Sequence, residues 1–74
     1  MKKVQKPRLW LKIIREDQGL NCTQAAELSG ITLSAYYKIE TGMIASPRVE
    51  TARKIARGLG FNAERFFEEG GEND

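Results

Sequence analysis

The 74-residue chain reads as an all-α domain of five short helices, two of them joined by a tight glycine turn. Apolar residues recur at helical spacing, as in Val49, Ala52, Ile55, Ala56 and Leu59, and no alternating run is long enough to make a strand. Start and stop signals (Asn21, Thr32, Gly19, Gly30, Gly42, Gly60) divide the chain into segments of helix length. A hydrophobic fraction of 41% beside 30% charged residues suits one small folded core rather than a disordered chain.

The elements follow in order. The first helix starts near Pro7, a residue tolerated in a first turn, and ends before Gly19, with Leu11 and Ile14 on one face and Leu20 folded beneath it. The second is capped by Asn21 and runs to Ser29, where Gly30 takes the left-handed position that closes it. The third is capped by Thr32 and runs to about Thr41, stopped by Gly42. The fourth begins at Pro47 and turns the stripe from Val49 to Leu59 toward the core. The last starts at Asn62, with Phe61 and Phe66 placed as a hydrophobic staple. Residues 1–6 read as a flexible basic arm, 7–69 as the folded domain and 70–74 as a disordered acidic tail.

Composition removes whole classes of function. The one cysteine, Cys22, permits no intramolecular disulfide and no cysteine zinc site. No histidine is present to serve as general base or metal ligand. Without a glycine-rich phosphate loop or a carboxylate pair on a cleft, no enzyme, metal, cofactor or small-molecule substrate is expected. No apolar run exceeds three residues, so neither a membrane span nor a signal-peptide core is expected, and the cytoplasm is the expected location.

Charge is sorted along the chain. Residues 1–20 carry six basic side chains against two acidic ones, residues 21–60 five against three, and residues 61–74 one against five. A polyanion would therefore meet the first sixty residues and be repelled by the last stretch.

The second and third helices have the geometry that lets one helix lie in the major groove of duplex DNA. Ala26 is small where the helices cross, Gly30 reverses the chain, Ile31 fills the angle, and Tyr36 and Ile39 form the inward face. Opposite them lie Ser34, Tyr37, Lys38 and Thr41, with Leu33 at the leading edge. Taken alone, that outward face is equally a solvated surface.

On these residues the chain resembles the Cro and phage-repressor class of helix-turn-helix regulators, also called Xre-type. The match runs without gaps from Gly19-Leu20-Asn21 to Glu40-Thr41-Gly42, and extends to Ser46-Pro47, Ala56-x-x-Leu59-Gly60 and Phe66-Phe67. The resemblance implies a five-helix, lambda-repressor-like domain that binds double-stranded DNA as a homodimer and regulates transcription, as a repressor. It implies DNA contacts from Cys22, Thr23, Thr32, Leu33, Ser34, Tyr37, Lys38, Thr41 and Arg48, and a partly buried ion pair between Arg15 and Glu40. Two positions depart from the family. Cys22 stands where glutamine is common, and Leu33 where glutamine or arginine usually reads a base; leucine can only touch a thymine methyl.

Each residue also has a plainer reading. Cys22 is either a structural cysteine or a thiol activated by a helix start. Lys2, Lys3, Lys6 and Arg8 either follow the DNA backbone or merely solubilise the chain end. The aromatic residues Trp10, Phe61, Phe66 and Phe67 either close the core or supply a dimer interface. The competing function is a protein-binding module on the same fold, an antitoxin or anti-regulator, with weak DNA contact.

Overall fold

The computed structural model describes residues 6–68, so the basic arm (Lys6 excepted) and the acidic tail lie outside the described residues. Five helices follow in order: α1 (Leu9–Asp17), α2 (Cys22–Ser29), α3 (Leu33–Glu40), α4 (Val49–Leu59) and α5 (Glu64–Glu68). None of them is long and apolar enough to cross a membrane. α2 packs against both α3 and α4, and α1 packs against α3. The core between them holds Leu11, Ala25, Ala26, Tyr36, Ile39, Ala52, Ile55, Leu59 and Phe66.

Local chemistry sets the helix ends. Asn21 accepts from the Gln24 backbone N–H at 2.8 Å while Gln24 Oε1 accepts from the Asn21 N–H at 2.9 Å, a reciprocal capping box. Thr32 Oγ1 accepts from the Ala35 N–H at 3.1 Å and starts α3. Between them Gly30 has φ +73°, a left-handed conformation that lets α3 leave α2 within three residues and that a β-carbon would strain.

Three helix starts differ from the sequence expectation, for one shared reason. Pro7 and Pro47 precede their helices rather than open them, because Arg8 and Arg48 occupy the cap positions and the regular turns begin at Leu9 and Val49. α5 begins at Glu64, since Asn62 spends its side chain accepting from the Glu64 N–H at 2.9 Å. A preferred starting residue thus sits one or two positions ahead of the first hydrogen-bonded turn. Asn62 still caps that first turn, and Phe61 before it and Phe66 within it bring their rings to 5.8 Å, as a staple pair does. Val49 is the one member of the α4 stripe that misses the core; at the first helical position it is 52% exposed.

Arg8 gives the largest correction. Expected in a basic arm, it is 4% exposed. Its guanidinium donates to the carbonyls of Ile39 (2.6 Å), Ile44 (3.0 Å) and Ala45 (2.8 Å), and its own N–H donates to the Glu40 carbonyl at 2.8 Å. These carbonyls belong to the last turn of α3 and to the loop that follows it, and that of Ile39 also accepts from the Gly42 N–H at 3.3 Å. The Lys6 backbone lies over Gly42 so closely that a β-carbon there would collide with it.

The expected ion pair is present. Arg15 Nε and Nη2 donate to Glu40 Oε1 and Oε2, both at 2.9 Å, in the two-pronged geometry that suits guanidinium to carboxylate. Arg15 Nη1 also donates to the Leu20 carbonyl at 2.9 Å, and the Tyr36 hydroxyl donates to Glu40 Oε1 at 2.7 Å. Burial and then the bond to Glu40 push the Tyr36 hydroxyl far above the ordinary phenol range, so it remains a donor.

Trp10 and Phe61 pack against the core at Phe66. Trp10 meets Phe66 edge-on at 5.1 Å and Phe61 at 5.4 Å, and the Arg65 guanidinium lies 4.8 Å from the Trp10 ring centre. Phe67 is exposed.

Two stability measurements follow. Arg15→Met strands the Glu40 carboxylate in a largely buried site and should lower unfolding free energy by about 3 kcal/mol. Arg15→Met/Glu40→Leu should restore part of that loss, and an unchanged thermal midpoint in the single variant would remove the pair from this account. Gly58→Ala should destabilise by about 1–3 kcal/mol despite alanine's better helix propensity. A β-carbon at 58 would lie 2.6 Å from the Leu28 carbonyl oxygen, where α4 crosses the end of α2. Urea unfolding reads the sign directly.

Candidate nucleic-acid interface

α3 has only eight residues, too few to be stable alone, so its direction is imposed from outside. Thr32 fixes its start, Tyr36 and Ile39 anchor it to the core, and Arg15 and Arg8 hold its far end. What remains is an outward strip of Leu33, Ser34, Tyr37 and Lys38, all exposed.

The sequence-derived site residues fall into three groups. Leu33, Ser34, Tyr37 and Lys38 share the outward strip, with Cys22 and Thr23 beside it on the first turn of α2. Thr32 and Thr41 are at the two ends of α3 and are partly committed to it. Thr32 Oγ1 caps the helix, and Thr41 Oγ1 donates back to the Tyr37 carbonyl at 2.8 Å, so the Thr41 hydroxyl can offer a ligand only its lone pairs. Arg48 stands apart, at the start of α4, in a shallow depression shared with Ala35, Ile39 and Thr51 on the flank of α3. Arg48 is the N-cap residue of α4, and since a guanidinium has no acceptor its side chain makes no capping bond there.

Charge is less concentrated than the linear sequence implies. Lys38 and Arg48 lie on or beside α3, whereas Arg53, Lys54 and Arg57 line a separate depression with Val49 and Glu50, turned away from the core stripe of α4. Arg8 and Arg15 are buried and spent on internal partners. Among the described residues, the basic surface beside α3 thus comes from a few side chains.

Cys22 is half-buried at the first position of α2. Burial pushes its thiol pKa up, the Glu40 carboxylate adds to that, and Arg15 and Lys12 oppose it only in part. The balance of these groups favours the thiol over the thiolate.

Sequence reasoning missed Arg8, Gly58 and Gln18, whose Nε2 donates to the Leu59 carbonyl at 2.7 Å and so closes the end of α4. All three act on backbone groups distant in sequence, which leave no local pattern to read.

Comparison with known proteins agrees with this geometry. The family described as "Helix-turn-helix" matches residues 11–66. The chain is 42% identical over 59 residues to the HTH-type transcriptional regulator PuuR of Escherichia coli (strain K12), a match covering 80% of this chain. The same identity and coverage hold for the PuuR regulator of Shigella flexneri. The matched region is 31% of each relative, so the chain spans about a third of their length. No solved structure gives a significant match. With two helices at a glycine turn, an ion pair bracing the second of them and a family match across both, the chain belongs to the Xre-type helix-turn-helix family of DNA-binding transcription regulators.

Proposed function

We propose that this domain regulates transcription by laying α3 in the major groove of promoter DNA, and that it represses by occupying that DNA. The observation that carries the reading is the bare outward strip of α3, exposed from Leu33 to Lys38 while Tyr36, Ile39 and Glu40 behind it are buried. Within the strip, Lys38 can bond guanine O6 and N7 or a phosphate, and Ser34 can bond a base edge. The Tyr37 hydroxyl, Thr23, Thr32 and Thr41 suit flanking phosphates and sugars, Cys22 sits against the same surface, and Arg48 suits a phosphate beside the start of α4. Two copies working as a homodimer would place their α3 helices on half-sites about 34 Å apart, one turn of duplex. A reducing, cytoplasmic setting goes with this role.

The protein-binding alternative draws on the same strip, because Leu33 and Tyr37 are 46% and 52% exposed and would suit an apolar partner. Selection of bound duplexes from random DNA separates the two. The DNA reading expects an enriched, roughly two-fold symmetric site at physiological salt. It fails if no duplex is preferred over random sequence.

On the selected site, Lys38→Ala should weaken binding about tenfold or more. Arg48→Ala should instead leave the sequence preference intact and lower the slope of log affinity against log salt by about 1. Because burial pushes the Cys22 thiol pKa up, mild peroxide should leave affinity unchanged; mobility shifts with and without oxidant check this.

A further inference from the structure

An open depression of about 630 Å³ lies between the first turn of α2 and the leading end of α3, lined by Asn21, Cys22, Thr23, Leu33, Ser34 and Tyr37. Leu33 and Tyr37, four residues apart, stand on the same side of α3 and are both half-exposed. Cys22 forms the facing wall and is held as the neutral thiol by its burial. Asn21 is the residue there that could identify a purine, yet its side-chain oxygen is committed to the Gln24 N–H. That bond fixes the amide against its own helix start, and no lysine or arginine lines the depression to take guanine. Hydrocarbon, sulfur and an aromatic ring make up its wall, with hydroxyls from Ser34, Thr23 and Tyr37 among them.

The major-groove edge of DNA offers one apolar feature, the C5 methyl group of thymine. We propose that this depression is a pyrimidine C5-methyl site, in which Leu33 covers the methyl group and Cys22 and Tyr37 enclose it. The assignment rests on the groove-binding reading above and adds to it the identity of the base read. Cytosine methylated at C5 carries the same group in the same place. The Ser34 hydroxyl can donate to thymine O4 or accept from the cytosine N4 amine, so it serves either base. Methylation of cytosine in the operator would therefore tighten binding at this position rather than block it.

Replacing each thymine of the selected half-site in turn by deoxyuridine removes the methyl group and nothing else. The parent protein should lose about three- to fivefold in affinity at one such position. With cytosine placed there, C5 methylation should tighten binding by about the same factor. Leu33→Ala should bind thymine and uracil alike at that position while melting like the parent, since Leu33 contributes little to the core. Leu33→Gln should also lose the distinction and gain preference for adenine, which keeps the test valid if the alanine variant folds poorly. A parent protein that selects an operator but never distinguishes thymine from uracil overturns the methyl site and leaves groove binding standing; that result is also expected if the depression holds an apolar side chain of a protein partner. A parent protein that selects no operator overturns both.

Discussion

The bidentate bond between Arg15 and Glu40 is the constraint on which the rest of the molecule depends. It joins α1 to the last residue of α3, reaches the turn before α2 through the Leu20 carbonyl, and takes the Tyr36 hydroxyl as a further partner. A charged pair with side chains about a tenth exposed gains little net energy over apolar packing. What it supplies is direction: the carboxylate, guanidinium and phenol satisfy one another in one arrangement only, so α3 cannot rotate about its axis without stranding a buried charge. For a helix of eight residues whose role is to present one face, such a lock matters more than added stability.

The outward strip owes its availability to work done elsewhere. The orphan groups at both ends of α3 are satisfied by Thr32, Arg8 and the Thr41 turn, and its apolar side is filled by Tyr36 and Ile39. The exposed residues Leu33, Ser34, Tyr37 and Lys38 therefore carry no structural duty beyond helix formation. Their chemistry can vary with the DNA to be read while the scaffold stays constant. In this chain it leans apolar at the leading end and cationic at Lys38.

Much of this was legible in the sequence because it is local. Asn21 and Thr32 each before a helical stripe, and Gly30 after one, act within a few residues, and each appears where its chemistry requires. Family resemblance supplied Arg15 and Glu40, which are 25 residues apart and which periodicity alone would not pair. Arg8 was misread because a lone arginine in a lysine-rich run has the composition of a solvated arm; its partners are backbone carbonyls 31 to 37 residues away and have no side-chain signature. Gly58 was silent for a similar reason. A glycine inside a helix reads as a weak position, and only the crossing of α4 over the Leu28 carbonyl makes its missing side chain a requirement. Val49 shows the limit of periodicity, which gives a phase but not where along the helix the neighbouring element stops.

Arg8 also changes how the start of the chain should be regarded. By gripping three carbonyls around the end of α3, it makes residues 6–8 part of the mounting of that helix. An affinity tag fused close to Pro7, or trimming through Arg8, would be felt in the orientation of α3 even though neither alters a residue on the outward strip. Boundaries for an engineered version of this module are therefore best drawn upstream of Lys6.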